Sequence, residues 1–382
     1  MSEDRFLEDG SQVVHVGCES QPYDVLVGAG VLSEVGDMAR KTAGGTKACV
    51  ISDTNVAPLY IEAVEASLFD ADYEVVSPLV FPAGERSKNL STLSDLLEGL
   101  AERTLAREDV VIALGGGVVG DVAGLAAALY LRGIHVVQVP TSLLAMVDSS
   151  VGGKTAVDLP AGKNLAGAFW QPSAVVADVR CLSTVSHDLF TDSCGEVIKH
   201  AVLADPALLD ELTYAPLNAP GANEEHLVNV VARNVAIKRD VVVADEREGG
   251  LRQTLNLGHT IGHAIEAASD FSLGHGSCVA AGLSCVARAS ARLGWCSEES
   301  CQRILACIDA HGLPTTTSLS VDEIMQYLAH DKKRHGQTVN FVIPVELGHV
   351  EVRTLSLEEA RELVQLGLEP LGGSSKSGSS PA

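Results

Sequence analysis

Two histidines four residues apart, His259 and His263, lie in the stretch LNLGHTIGHAIE over residues 255–266. In a helix, residues four apart share a face, so both imidazoles can point into one cleft. Another histidine, His275, stands between two glycines further along the chain, and Glu196 lies upstream. One carboxylate with two or three imidazoles is a ligand set of catalytic divalent metals. The spacing therefore suggests a metal site, with ordinary core or surface histidines as the alternative.

The composition limits the class of protein. The chain has 382 residues, of which 46% are hydrophobic, and a formal net charge of −23. The length predicts two domains, each with its own core. The acidic surface disfavours nucleic acid and anionic membranes as partners, although a local basic pocket could still bind a small anion.

The cellular compartment is predicted from what the sequence lacks. The N-terminus is acidic and has no apolar core of the kind that a signal peptide needs. No apolar run reaches the ~20 residues of a membrane span. The nine cysteines are scattered and contain no C-x-x-C pair, which is typical of reduced thiols. We therefore expect a cytoplasmic protein without a membrane partner.

The pattern of apolar residues changes once along the chain. Up to about residue 179, short β-branched runs alternate with Ala- and Leu-rich helical stretches, which predicts a largely parallel α/β sheet. Beyond residue 184 the periods are mostly helical, so we predict a mostly α-helical C-terminal domain. The predicted boundaries are a disordered N-terminus over 1–12, an α/β domain over 13–183, a helical domain over 184–370 and a disordered Gly/Ser-rich tail over 371–382.

Individual elements follow from the same patterns. Candidate strands are 23–27, 47–51, 73–79, 110–114, 135–139, 174–178, 338–343 and 349–352. Candidate helices are 32–41, 57–67, 89–103, 121–130, 188–204, 224–244, 258–268, 277–293, 297–311 and 321–330.

A glycine-rich stretch, LGGGVVGD over residues 114–121, follows an apolar run and opens a helical pattern. It fits G-x-G-x-x-G, in which glycines let the backbone approach a pyrophosphate and the helix N-terminus faces the anion. That fingerprint expects an acid at the end of the next strand, yet this strand ends in Pro-Thr-Ser at 140–142. The acid at a strand end lies upstream instead, at Asp53. The stretch therefore indicates either a nucleotide site with a different strand order or a merely tight turn.

Basic residues occur in stretches that do not resemble solvated surface. The chain has only 27 Lys and Arg residues, and several lie between glycines or within apolar runs. Converging cations suit a phosphate or a carboxylate, whereas a lone lysine is usually a solvated charge. The residues concerned are Arg132, Lys154, Lys163, Lys199, Lys238 and Arg252. Lys332 and Lys333 could join them or could form a solvated helix end.

Several motifs together resemble one family. They are LGGGVVGDVAG, VPTSLLAMVDSSVGGKTAVD, GKNLAGAFWQP, GEVIKH, ADERE, LRQTLNLGHTIGHAIE and HG-x-x-VAAG. In this order and at this spacing, the chain resembles the 3-dehydroquinate synthases over about residues 20–355. The resemblance implies an NAD-binding α/β domain followed by a helical domain that holds a divalent metal, zinc or cobalt. It also implies a homodimer that converts 3-deoxy-D-arabino-heptulosonate 7-phosphate, a sugar acid phosphate, into 3-dehydroquinate and phosphate in the shikimate pathway.

The resemblance also implies roles for single residues. Glu196, His259 and His275 resemble the metal ligands, and His263 moves from the metal pair to the substrate, near its phosphate. The NAD positions are Asp53, Asn55, Glu85, Lys88, Gly116, Gly117, Asp121, Thr141, Ser142, Lys163 and Thr184. The substrate positions are Arg132, Asp148, Lys154, Asn164, Lys199, Lys238, Arg252, Asn256 and one of Lys332 or Lys333.

Three positions depart from the family pattern. Ser142 stands where a second Thr is usual, and Gly195 stands where Ala is usual. Ser277 stands where a Glu commonly follows the His-Gly of the third ligand, which removes a carboxylate near the metal.

Other functions share parts of this pattern. Related sugar phosphate cyclases make 2-deoxy-scyllo-inosose or 2-epi-5-epi-valiolone, and metal-dependent polyol dehydrogenases share the general architecture. Arg252 and Asn256 would bind a substrate carboxylate, and they therefore favour the dehydroquinate reaction. Lys154, Lys238 and Arg252 favour a phosphorylated acid as the substrate over a neutral polyol such as glycerol.

Overall fold

The computed structural model describes residues 4–219, 223–269, 273–328 and 338–370, together with the backbone of 334–335. Lys332, Lys333 and the tail predicted to be disordered lie outside these residues. The chain divides into two compact units, Met1–Ser193 with Asn218–Arg252 and Cys194–Leu217 with Gln253–Ala382. These are called the first and the second unit below. The predicted domain boundaries remain predictions.

An eight-stranded sheet forms the centre of the first unit. The strands of this unit are β1 (Arg5–Phe6), β2 (Gln12–Val16), β3 (Tyr23–Gly28), β4 (Lys47–Asp53), β5 (Glu74–Phe81), β6 (Val110–Gly115), β7 (His135–Pro140), β8 (Lys154–Leu159), β9 (Gly162–Phe169) and β10 (Ala174–Asp178). The order across the sheet is β1-β2-β3-β10-β7-β6-β4-β5, and β8 pairs with β9 as a separate antiparallel hairpin. From β3 to β5 every pair is parallel, which confirms the largely parallel sheet.

The strands of this sheet are buried on both faces by helices. The helices of this part of the chain are α1 (Val35–Thr42), α2 (Ala57–Asp70), α3 (Leu90–Glu102) and α4 (Gly117–Leu129). Successive residues of β6 point to opposite faces, so Ile112 packs in one core with α1 and α2, and Val111 packs in the other with α3 and α4. A strand covered on both faces reads as a continuous apolar run, as the sequence of β6 does.

The order of the strands reverses between two neighbours, β4 and β6. The chain leaves β4 for the edge strand β5 and leaves β6 in the opposite direction for β7. In open α/β sheets, ligands bind outside the carboxyl ends of the strands at such a point. Because Ser52 of β4 pairs with Leu114 of β6, Asp53 lies beside the glycine-rich turn at Gly115. Asp53 therefore lies next to the glycine-rich turn although it belongs to an earlier strand. This is the arrangement expected of a nucleotide site with a different strand order.

The remaining helices begin with α5, which crosses from the first unit into the second. They are α5 (His187–Ala204), α6 (Pro206–Tyr214), α7 (Glu224–Ala244), α8 (His259–Ala268), α9 (His275–Arg292), α10 (Glu298–Ala310), α11 (Val321–Leu328) and α12 (Leu357–Leu368). The strands β11 (Arg334–His335), β12 (Thr338–Glu346) and β13 (His349–Ser356) form an antiparallel sheet in the second unit. The helical character predicted for the C-terminal half is confirmed. None of the described helices is long and apolar enough to cross a membrane.

Several elements were not predicted, although three of them carry local signals. The stretch predicted to be disordered contains β1, which pairs with β2. Helix α6 begins after Asp205, whose side chain caps Leu208 N, with proline at the first position. Helix α12 begins with a capping box between Ser356 and Glu359. The hairpin β8–β9 follows the glycine pair at 152–153, and Gly162 begins its second strand, so these glycines indicate turns rather than strands.

Candidate metal centre and ligand-binding residues

Three helices each contribute one residue of the second unit to a cluster of potential metal ligands. Glu196 lies on α5, His259 begins α8 and His275 begins α9. The Oε1 atom of Glu196 lies 3.3 Å from Nε2 of His259 and 3.1 Å from Nε2 of His275. Their ligand atoms all lie within 4.8 Å of one another. One carboxylate oxygen and two imidazole nitrogens fit a zinc or cobalt ion that keeps a position open for another ligand.

The electrostatics of this cluster suit a bound cation. Glu196 is fully buried, and Lys199 lies against its second oxygen. Although burial opposes it, the positive charge of Lys199 and the contacts with His259 and His275 hold the pKa of Glu196 well below its usual value. Burial lowers the pKa of His259 despite the nearby carboxylate, so this imidazole stays neutral and can donate a lone pair.

His275 has a different environment from His259. Although burial opposes it, hydrogen bonds to Glu196 and Glu266 and the charges of these two carboxylates raise the pKa of His275 to about 10. In the metal-free protein this ring therefore carries a proton that metal binding must displace.

The pair of histidines in α8 shares one face, as the spacing predicted. The ring centroids of His259 and His263 lie 5.2 Å apart, and that of His263 lies 6.0 Å from the ring of His275. His263, Glu266 and His275 form a second group whose ligand atoms lie within 4.8 Å of one another. The role of His263 at the substrate remains a prediction.

Glycines bring the two ligand-bearing helices together. A Cβ atom at Gly282 of α9 would lie 2.2 Å from the carbonyl oxygen of Gly258 and 2.7 Å from the backbone nitrogen of Gly262. Gly258 itself has a φ of +77°, the left-handed region that favours glycine. Because these contacts involve backbone atoms of α8, a side chain at position 282 must move one helix away from the other.

We expect Gly282→Ala to lower the free energy of unfolding by ~1–3 kcal/mol, as overpacked cores do. It should also weaken binding of Zn²⁺, because His275 on α9 would move away from His259 on α8. The measurements are thermal unfolding and calorimetric titration with Zn²⁺. Gly17→Ala is the matched control, since a Cβ there would meet nothing closer than 3.8 Å. Unfolding and metal affinity equal to wild type would contradict the close approach of the helices.

In the first unit, the glycine-rich turn and its neighbours fit a dinucleotide. Helix α4 begins at Gly117, directly after β6, so its N-terminal backbone groups lie at the carboxyl end of the sheet. Cβ atoms at Gly115 and Gly117 would lie 2.5 Å from Val119 Cγ2 and 3.2 Å from Ser149 Oγ, so glycine permits this tight turn. Asp53 accepts hydrogen bonds from the backbone of Asn55 and Val56 through one oxygen. These features fit NAD.

Lys88 connects two of the predicted binding positions. Its Nζ lies 2.6 Å from Oδ2 of Asp121 on α4 and donates a 2.6 Å hydrogen bond to Oδ1 of Asn164 on β9. Burial raises the pKa of Asp121 although Lys88 opposes the shift. Because a lysine only donates, the amide oxygen of Asn164 faces Lys88 and its NH₂ group remains as the donating end. Asn164 has a φ of +54°, in the left-handed region that asparagine adopts more often than most other non-glycine residues.

The predicted anion-binding residues of the first unit divide into buried and exposed groups. Lys238 is buried and lies 2.5 Å from Oδ1 of Asp148. Lys154 is half-exposed and lies 2.7 Å from Oε2 of Glu248, a carboxylate that sequence reasoning did not select. The run ADERE contains Glu248 and is the signal that could have found it.

Arg252 is the most deeply buried of these cations, with 1% of its surface exposed. Its guanidinium donates to the backbone oxygens of Glu246 at 2.6 Å and Gly152 at 2.9 Å. Burial lowers the pKa of this guanidinium, yet arginine remains charged in proteins. Its Nε atom is buried without a hydrogen-bond partner among the described residues. A buried guanidinium that donates hydrogen bonds to backbone carbonyls favours an additional anionic ligand.

Other predicted positions have their own local partners. The Thr184 hydroxyl lies 2.7 Å from that of Tyr60, and Lys163 lies 3.5 Å from Glu85. Arg132 lies in a left-handed turn, with a φ of +67°. The remaining positions also have backbone contacts: Thr141 N donates to Gly115 O, Ala145 N donates to Ser142 Oγ, and Asn256 Nδ2 donates to Gln253 O.

The architecture belongs to the class of the sugar phosphate cyclases. A structure of 2-deoxy-scyllo-inosose synthase complexed with carbaglucose-6-phosphate, NAD⁺ and Co²⁺ has a TM-score of 0.83 at 26% identity, covering 93% of this chain and 100% of that one. A structure of 2-epi-5-epi-valiolone synthase from Streptomyces hygroscopicus with NAD⁺ and Zn²⁺ bound has a TM-score of 0.79 at 26% identity, covering 90% and 96%.

Sequence comparison narrows the class to one family. Residues 78–192 match the family model "3-dehydroquinate synthase N-terminal", and residues 193–334 match "3-dehydroquinate synthase C-terminal". A 3-dehydroquinate synthase from Citrifermentans bemidjiense is 42% identical over 348 residues, covering 91% of this chain and 96% of that protein. The chain belongs to the 3-dehydroquinate synthase family.

Proposed function

We propose that this protein converts 3-deoxy-D-arabino-heptulosonate 7-phosphate into 3-dehydroquinate and phosphate, as a carbon–oxygen lyase of the shikimate pathway and aromatic amino acid biosynthesis. The observation that carries the proposal is the cluster of Glu196, His259 and His275 in a chain that belongs to this family. Each set of residues in the two units matches one requirement of the reaction.

The ligand cluster of the second unit meets the first requirement of the reaction, which is a bound divalent metal ion. A divalent ion held there, zinc or cobalt, would polarise an oxygen of the substrate as a Lewis acid. Glu196, His259 and His275 would bind it through the three atoms that face one another. Lys199 holds the charge of Glu196 and limits its rotation, so the carboxylate is already oriented when the ion binds.

The carboxyl end of the sheet in the first unit meets the second requirement of the reaction, which is a bound NAD. NAD bound there would accept a hydride and later return it, so that no net oxidation occurs. The N-terminus of α4 would face the pyrophosphate, and Asp53 would bind a ribose hydroxyl. The other proposed contacts are Asn55, Glu85, Lys88, Gly116, Gly117, Asp121, Thr141, Ser142, Lys163 and Thr184.

The basic residues meet the third requirement, recognition of a doubly anionic substrate. The formal net charge of −23 would repel such a molecule, so local cations are needed to bind it. Arg252 is proposed to bind the carboxylate, and His263 is proposed to hold or transfer a proton near the phosphate. The other proposed substrate-binding residues are Arg132, Asp148, Lys154, Asn164, Lys199, Lys238 and Asn256.

The decisive experiment follows phosphate and NADH together. With substrate, metal and a trace of NAD, we expect phosphate release through many turnovers without net NADH. A metal-dependent polyol dehydrogenase would instead accumulate NADH in proportion to turnover, and this result would exclude the proposed reaction. A sugar phosphate that lacks the carboxylate is the control substrate, and preferential turnover of it would favour one of the other cyclase reactions.

Three further properties are part of the proposal. The domain boundaries at residues 183 and 370 should mark folding units, which limited proteolysis would test. A cytoplasmic location is supported by the cysteines, all nine of which are buried thiols. A homodimer is supported by exposed apolar side chains such as Leu129 and Leu131 beside the turn at Arg132. Analytical ultracentrifugation would test the oligomeric state.

A further inference from the structure

Glu266 is a buried carboxylate on α8 that the proposed reaction does not use directly. It is 7% exposed, and it is the only acidic residue in a helix whose neighbouring positions, such as Ile261 and Ile265, are buried and apolar. A carboxylate in such surroundings destabilises the fold unless its charge is compensated by specific partners. We therefore expect partners that compensate the charge of Glu266.

The geometry of Glu266 points to His275. Its Oε2 atom lies 3.2 Å from Nδ1 of His275, whereas Nε2 of the same ring lies 3.1 Å from Glu196 Oε1. The imidazole of His275 is thus held between two carboxylates, one at each nitrogen. When a metal displaces the proton on Nε2, Nδ1 keeps its hydrogen and donates it to Glu266, and the lone pair of Nε2 is directed towards the ligand cluster.

His259 provides an internal comparison. Its Nδ1 atom lies 3.1 Å from the backbone oxygen of Leu257, and its Nε2 atom faces Glu196. Both imidazoles therefore present Nε2 to the cluster and use Nδ1 for an oxygen acceptor. The acceptors differ, since that of His259 is a neutral carbonyl and that of His275 is a carboxylate. A negatively charged acceptor makes the ring a stronger electron donor to a metal.

We propose that Glu266 is a positioning residue that fixes the orientation and tautomer of His275 for metal binding. The inference rests on the metal centre proposed above and adds a residue to it. It makes Glu266 a determinant of metal affinity, although Glu266 would not itself touch the ion.

The test measures metal binding without relying on activity. Metal-free wild type, Glu266→Ala and Glu266→Gln are titrated with Zn²⁺ by calorimetry and with Co²⁺ by absorption spectroscopy. Loss of such an outer partner costs about 10–100-fold in metal affinity, and we expect this for Glu266→Ala. Glu266→Gln should lose less, because the amide oxygen still accepts the Nδ1 hydrogen but lacks the charge. One ion should bind per chain throughout, with a changed cobalt spectrum in the alanine variant.

Ser269→Ala, at the C-terminal cap of the same helix, is the matched control. Its hydroxyl bonds to the backbone oxygen of Glu266, so the change alters the end of α8 without touching the carboxylate. We expect wild-type metal affinity for this variant. Thermal unfolding of the metal-free proteins shows which variants fold, and Glu266→Gln, which is nearly isosteric, should retain the fold.

The possible outcomes distinguish a wrong role for Glu266 from a wrong metal centre. If His259→Ala loses the metal while Glu266→Ala and Glu266→Gln bind like wild type, the role of Glu266 is wrong and the metal centre stands. If a second ion binds to wild type and is lost in both Glu266 variants, Glu266 is a ligand and the positioning role is also wrong. If His259→Ala binds Zn²⁺ like wild type, the metal centre is wrong and the inference fails with it.

Discussion

Replacing His259 by alanine is expected to remove the metal from the purified protein and to abolish phosphate release. Only Glu196 and His275 would remain as ligands, and two protein donors do not hold a catalytic zinc ion against dilution. Without the ion the substrate oxygen loses a polarising charge that is worth several kcal/mol of transition-state stabilisation. The measurements are metal content by elemental analysis and single-turnover phosphate release.

His263→Ala is the matched control for this experiment, because it removes a neighbouring imidazole from the same helix face. We expect its metal content to stay near that of wild type and its phosphate release to slow, since an imidazole near neutral pH can hold or transfer a proton. Both variants should fold, because neither change opens a large apolar cavity. Loss of metal from His263→Ala with retention by His259→Ala would require the second group, His263 with Glu266 and His275, to be the metal site.

Replacing Arg252 by alanine is expected to weaken binding of the heptulosonate phosphate by ~2–5 kcal/mol, the cost of losing one partner of a buried charged pair. The affinity for a sugar phosphate without the carboxylate should change much less. The reason is the burial of the guanidinium, which is held in the structure by two backbone oxygens and carries a charge suited to a carboxylate. Competition binding of the two ligands measures the difference.

Arg252 also stabilises the first unit, so the test needs further variants. Arg252→Lys keeps the charge but loses the planar group that bonds to Gly152 and Glu246, and it should recover stability better than carboxylate selectivity. Arg239→Ala is the control, since Arg239 lies on α7 in ion pairs with Asp4 and Asp240 and has no proposed role. If Arg252→Ala and Arg252→Lys each lose the same affinity for both ligands, Arg252 stabilises the fold and does not bind the carboxylate.

Local patterns in the sequence predicted most of the architecture correctly. Helix α7 (Glu224–Ala244) has the bounds that its pattern predicted, and the apolar run at 110–114 predicted the strand β6. These predictions succeed because the helical period and the burial of a strand are properties of neighbouring residues. The sequence pattern does not predict the hairpin β8–β9, because the glycines at 152, 153 and 162 favour turns, although the predicted site residues Lys154 and Asn164 lie within it.

Some site residues were recognisable from the sequence, and others only from their contacts. Glu248 ends the run ADERE and Glu266 ends the run LNLGHTIGHAIE, but neither run shows which side chain each acid contacts. Glu248 becomes a candidate because it pairs with Lys154, and Glu266 because it adjoins His275. Such pairings depend on which helices and loops pack together, and sequence spacing does not encode this directly.

The sequence by itself determined the family, the parallel α/β sheet, the helical C-terminal half and the shared face of His259 and His263. The tertiary structure decided the rest. It brings Glu196 of α5 to the histidines of α8 and α9, and it places Asp53 beside a glycine-rich turn that follows later in the chain. The physical reason is range, because backbone periodicity acts between near neighbours. Ligand geometry depends on close packing between distant segments, such as the glycine contact of Gly282 with Gly258.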